Sequence, residues 1–185
     1  MKSTSQSTTS YISQRRMDAM KSLSSHPLVE DKQMESEGCL SLLSHSPLDL
    51  KFLTNSVRRV SHGAISCFLG TTRNFFQDKS VVELAYEAYE SMALKEMHRR
   101  ACEARKKWNV DVAVAHRLGV VPVGEESIAI FVSSEHRKQS LEAVAWLINE
   151  IKATVPIWKK EIYADGSCSW KENCECFFHP KHAST

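Results

Sequence analysis

The sequence predicts an α+β domain from about residue 37 onward, and three observations carry that prediction. Short apolar runs of strand length occur at residues 64–69 and 128–132, and valines alternate at Val110, Val112 and Val114. Two helical periods cover residues 92–108 and 134–154. Residues 157–163 and 169–170, separated by Asp165-Gly166, read as a closing hairpin. Strands interleaved with two main helices and ending in a hairpin describe a mixed or antiparallel sheet packed on helices.

Taken in order, the run Ala64-Ile-Ser-Cys-Phe-Leu69 is almost continuously apolar and is expected to be buried on both faces, with Gly70 ending it. Thr71 to Asn74 is turn-like. The next strand alternates Val82, Leu84, Tyr86 and Ala88 against Glu83 and Glu87, so one of its faces is wet. A helix over residues 92–108 carries Leu94, Met97, Ala101, Ala104 and Trp108 as one stripe, with Lys95, Arg99, Arg100 and Lys106 elsewhere. The valine strand leads to His116-Arg117, Gly119 and Pro122 mark a loop, and residues 128–132 form a second buried strand. Ser134 is the expected N-cap of the second helix, Leu141, Val144, Ile148 and Ile151 its apolar stripe, and Pro156 its stop near Thr154.

Bulk composition narrows the function. The 24 basic and 22 acidic residues leave a net charge of +2, too balanced for a general nucleic-acid or membrane-surface binder. Residues 1–36 are rich in Ser, Thr, Gln and Lys and carry no sustained apolar period, so burial cannot offset the entropy cost of ordering them. They read as a solvated tail in preference to a transit peptide. The expected organisation is that tail, a domain over residues 37–178 and a short end segment over residues 179–185. The six cysteines, with no charged-then-apolar leader before them, indicate reduced thiols in the cytosol. Cys168, Cys174, Cys176, His179 and His182 have ligand chemistry, but their C-x5-C-x-C-x2-H spacing fits no usual zinc pattern, so free thiols are expected. The four tryptophans sit in strand or amphipathic contexts that suit packing better than base stacking.

The segment Lys152-Ala-Thr-Val-Pro-Ile-Trp-Lys159-Lys160-Glu161 places one lysine at a helix end and another at a strand start, across a proline-forced corner. Both can point into one pocket. Lysines placed near each other resist one another's charge, and a lysine tuned that way can act as acid, base or nucleophile, while also gripping phosphate. A single lysine is far more often a solvated surface charge.

Five segments in order shift that balance: 63–74 (GAISCFLGTTRN), 84–89 (LAYEAY), 116–119 (HRLG), 133–137 (SSEHR) and 156–161 (PIWKKE). Together they resemble the MoaE family, the large catalytic subunits of molybdopterin synthase, over about residues 38–178. The resemblance implies an α/β hammerhead-type domain and a sulfurtransferase. Its substrate would be a small-molecule pterin, cyclic pyranopterin monophosphate, and its product the dithiolene of the molybdenum cofactor. It implies a small ubiquitin-like sulfur carrier with a C-terminal Gly-Gly thiocarboxylate, docked on a homodimer to make a heterotetramer. The implied catalytic residues are Lys152 and Lys159, with Arg73, Thr72, His136, Arg137, Lys160 and Glu161 around the substrate and Phe68 and Ile148 lining the pocket. No cofactor and no metal is implied. The sequence departs from the bacterial pattern at Thr71, basic in that branch, and at Ile148, methionine there; neither change removes a titratable group. The alternative from another class is a non-catalytic adaptor for a ubiquitin-like tail, against which the presence of both lysines argues.

Overall fold

A computed structural model describes residues 31–76 and 79–171. The chain opens with β1 (Lys32–Ser36) and β2 (Cys39–Ser44), followed by the short helix α1 (Leu50–Ser56). Then come β3 (Ala64–Thr71), β4 (Phe75–Phe76) and β5 (Lys79–Ala88). The long helix α2 (Glu90–Trp108) leads to β6 (Asp111–Arg117), β7 (Gly119–Pro122) and β8 (Glu126–Ser134). Helix α3 (Arg137–Thr154) is followed by the hairpin of β9 (Ile157–Tyr163) and β10 (Cys168–Lys171). The α+β class and both main helices are as the sequence predicts.

Two sheets result. The first runs β1-β2-β6-β8-β3, parallel only where β2 meets β6; the second runs β10-β9-β5-β4, with β7 also pairing to β5. Strand alternation divides the first sheet's core. Val112, Val114, Ile130 and Val132 face α2 and α3, where Met97, Ala101, Ala143 and Leu147 close the layer. Ala113, Ala115, Ala129 and Phe131 face the other way, against Leu53 and Val57 on and after α1. Each fully buried Leu, Ile or Val in such a layer contributes roughly 1.5–3 kcal/mol. Asn109, left-handed at φ 53°, stops α2.

Several expectations change. Residues 32–36, placed in the tail by composition, form β1 against β2 through the Gly38 turn, and neither β2 nor α1 was anticipated. Residues 1–30 and 172–185, including Cys174, Cys176, His179 and His182, lie outside the described residues. The run 64–69 is not buried on both faces: at the edge of the sheet, Ile65 and Cys67 are exposed, and Ala64, Ser66 and Phe68 on the other face are half-buried. Nor does Gly70 end it, since pairing continues to Thr71 with a register shift between the two. A similar shift in β5 between Val81 and Glu83 buries Val81 and turns Val82 outward, against expectation, while Leu84, Tyr86 and Ala88 keep the expected inward phase. The expected 119–122 loop is strand β7, paired to β5.

The start of α3 also differs. Ser134 belongs to β8, and the N-cap position falls to His136, whose side chain makes no cap bond. Ser134 still serves the first turn, because its Oγ accepts from Ser140 N at 3.1 Å and donates to His136 O at 2.7 Å. Leu141, expected in the stripe, is exposed, and Ser140 and Ala143 take that face. Of the tryptophans, Trp108 and Trp146 pack together at 5.5 Å, whereas Trp158 and Trp170 stand about half exposed.

Candidate active site

Proline sets the corner on which the site is built. Pro156 pushes the residue before it out of helical space, and Val155 is extended at φ −83°, ψ 125°. Helix α3 therefore ends at Thr154, and the chain turns directly into β9. Lys152, in the last helical turn, sits where the helix dipole favours a cation. Strand alternation then places Lys159, Glu161 and Tyr163 on one face of β9 and Lys160 on the other.

Between the two sheets lies a cavity of about 700 Å³, and both Lys152 and Lys159 line it. Phe68, Gly70 and Arg73 form one side, Ile148 and Ile151 come from α3, and Tyr86 and Ser127 come from facing strands. A Cβ at Gly70 would meet Ile128 Cγ2 at 2.6 Å, so glycine is required for the strands to close this wall. Arg73 stands at the rim, its guanidinium 5.9 Å from the Phe76 ring centre. The cavity thus combines three cations with an aromatic and aliphatic lining.

Beneath them sits one buried carboxylate. Glu161 is 3% exposed; its Oε1 is 3.7 Å from Lys159 Nζ and its Oε2 accepts from the Tyr163 hydroxyl at 2.7 Å. A buried carboxylate is tolerable only when paired and hydrogen-bonded, and here each oxygen has its partner. Deeper in, the Tyr86 hydroxyl donates to Ser127 Oγ at 3.1 Å, which donates to Gly70 O at 3.1 Å. Burial raises the Tyr86 phenol, opposed by that hydrogen bond, so it stays protonated. His116 meets the Tyr86 ring edge-on at 5.0 Å. Burial pushes His116 down to about 4 against the opposing effect of its Nδ1 contact with Arg117 O at 2.8 Å, so the imidazole is neutral at pH 7.

Of the residues singled out in the sequence, Lys152, Lys159, Glu161, Arg73, Phe68 and Ile148 share this cavity. Thr72 does not open into it: it is buried, with its hydroxyl donating to Val121 O at 3.3 Å. Lys160 points to the opposite face of β9, its ammonium 5.7 Å from the Trp170 ring centre. His136 and Arg137 are exposed at the far end of α3 from Lys152. Sequence reasoning assigned no role to Tyr86, His116 or Ser127. Tyr86 and His116 lay within the quoted segments, and the inward phase of Tyr86 was the available signal; Ser127 had none.

Known proteins resemble this chain in sequence and in fold. The model of the MoaE protein family matches residues 43–154. The molybdopterin synthase catalytic subunit of Taeniopygia guttata is 58% identical over 118 residues, 63% of this chain and 76% of that protein. Among solved structures, molybdopterin synthase from Staphylococcus aureus superposes with a TM-score of 0.68 at 32% identity, covering 70% of this chain and 94% of the other. A complex of subunits 1 and 2 of molybdopterin-converting factor from Helicobacter pylori 26695 matches with a TM-score of 0.52 at 26% identity, over 60% of this chain and 73% of the other. With the two sheets, the proline corner and its lysine-bearing cavity in the same chain as a family match over most of its length, the protein belongs to the MoaE family.

Proposed function

We propose that sulfur transfer takes place in the cavity at the α3–β9 corner, with Lys152 and Lys159 as its catalytic residues. As a MoaE family member, the chain is the catalytic subunit of a molybdopterin synthase and acts in molybdenum cofactor biosynthesis. The observation that carries the assignment of the site is the convergence of two lysines, from a helix end and a strand start, on one cavity above a buried carboxylate. The substrate, cyclic pyranopterin monophosphate, brings a phosphate that needs fixed cations and a heterocycle that needs an apolar slot. Arg73 at the rim suits the first requirement, and Phe68 and Ile148 suit the second.

The second substrate is the thiocarboxylate at the Gly-Gly end of a small ubiquitin-like carrier. In each transfer the thiocarboxylate sulfur forms a C–S bond to the pterin side chain as a C–O bond at that carbon breaks and its oxygen leaves as water. A second water then cleaves the acyl–sulfur bond, leaving the thiol on the pterin and the carrier as a carboxylate. Negative charge develops on oxygen during that exchange, and ammonium groups held in place stabilise it. A side-chain-free tail suits the narrow wall at Gly70. The Helicobacter pylori complex of two subunits supports a small-subunit partner here. A two-fold dimer of this chain with one carrier at each end would bring His136 and Arg137 of one copy to the cavity of the other. We place this assembly in the cytosol on its reduced cysteines; no helix among the described residues is long and apolar enough to cross a membrane.

The test is reconstitution. Purified chain, thiocarboxylated carrier and the cyclic pyranopterin phosphate should give dithiolene product, and a carrier lacking its terminal glycines should give none. Product formation with the truncated carrier, or none with the intact one, would refute the assignment.

A further inference from the structure

We propose that Tyr163 is a positioning residue that aims the Lys159 ammonium through the Glu161 carboxylate. The proposal rests on the catalytic reading of Lys159 given above. Lys159, Glu161 and Tyr163 occupy alternate positions of β9 and share a face. The two oxygens of Glu161 are divided between them, Oε2 accepting from the Tyr163 hydroxyl at 2.7 Å and Oε1 lying 3.7 Å from Lys159 Nζ. Tyr163 is not among the residues lining the cavity, so it reaches substrate only through its neighbour.

The anchor itself is rigid. The Tyr163 ring is buried with Val81 and Leu84, and Lys79 Nζ covers it at 4.8 Å from the ring centre. Its backbone is fixed by pairing with Val81 and by the hairpin turn, where Tyr163 N donates to Ser167 O at 2.9 Å and Gly166 N to Tyr163 O at 3.0 Å. The hydrogen bond to Glu161, with burial adding to it, raises the phenol, so Tyr163 remains a donor throughout the neutral range.

A carboxylate has a soft terminal torsion, and a lysine has four rotatable bonds. Without the phenol, Glu161 is free to turn away from Lys159, and the ammonium loses the partner that fixes its height above the strand. Misplacement by about 1 Å costs as much as 10²-fold in rate at a reacting centre. Tyr163→Phe, which keeps the ring and removes only the hydroxyl, should therefore lower kcat about tenfold while leaving KM for the pterin within about twofold.

The deciding experiment is a double-mutant cycle in single-turnover mode, with the chain, thiocarboxylated carrier and pterin substrate. Rates are divided by the fraction of each variant that binds carrier, which removes loss through misfolding. Wild type, Tyr163→Phe, Glu161→Gln and the double variant are compared. Action through the carboxylate means that Tyr163→Phe slows the wild type but adds less than about twofold once Glu161 is Gln. An equal factor in both backgrounds, a wild-type rate in Tyr163→Phe, or a wild-type rate in Glu161→Gln overturns the proposal. Lys159→Ala, run alongside, separates the two readings. A wild-type rate there refutes the catalytic assignment of Lys159, whereas a slow Lys159→Ala beside a fast Tyr163→Phe refutes only the positioning role.

Discussion

The Tyr86 hydroxyl donates to Ser127 Oγ at 3.1 Å and so joins β5 of one sheet to β8 of the other within the lining of the cavity. The serine hydroxyl in turn donates to Gly70 O, so the chain of hydrogen bonds ends on the strand that walls the site. Tyr86→Phe removes this link and nothing of the ring. It should destabilise the domain by about 1 kcal/mol and lower the thermal midpoint by roughly 2–4 °C. A melting curve that overlays the wild type would show that the two sheets are held together without it.

Lys152 is exposed and Lys159 partly so, and neither supplies core packing. Replacing either with alanine should therefore leave the far-ultraviolet circular dichroism and thermal midpoint nearly unchanged. Dithiolene formation should fall by about 10²-fold or more, the usual range for removing an acid–base group. A loss confined to thermal stability, with turnover intact, would return these lysines to the status of ordinary surface charges.

Arg137 and Lys152 open and close the same unbroken helix, and at about 1.5 Å rise per residue they are separated by roughly 22 Å along its axis. One pterin cannot touch both in one chain. If both act on substrate, the Arg137 end must come from a second copy related by a two-fold axis. Mixing Arg137→Ala chains with Lys152→Ala chains and allowing subunits to exchange should restore activity, since each mixed dimer regains one intact pocket. Verified exchange with no recovery would confine the site to a single chain and remove His136 and Arg137 from it.

The buried imidazole of His116 gives stability a pH slope. Its folded value is depressed to about 4 from the ordinary 6.5 by burial, so between those values the unfolded chain binds a proton that the folded chain does not. Stability is thus complete above about pH 6.5 and declines as the pH falls toward 4, below which the loss levels off. Between pH 7 and pH 5 the contribution is on the order of 2 kcal/mol. Burial of His98 acts in the same direction. Urea unfolding at the two pH values should show that loss in the wild type and a smaller one in His116→Gln. Equal losses in both proteins would mean that His116 is not the group responsible.

Local chemistry determined much of this protein. The 3.6-residue periods located both long helices, Pro156 fixed the corner, and the alternation after it placed Lys159 and Glu161 on one side of β9. Those signals are legible because they depend on residues a few positions apart. Tertiary structure decided the rest. The runs 64–69 and 128–132 look alike as sequence, yet β8 is covered on both faces inside its sheet while β3 sits at the edge with Cys67 exposed. Strand order sets that difference, and strand order comes from long-range pairing. The bulge that turns Val82 outward, the pairing of β7, and the meeting of Tyr86 with Ser127 are likewise agreements between distant segments. No window of sequence contains both partners of such a contact, and so the cavity's two lysines could be read in advance, whereas its far wall could not.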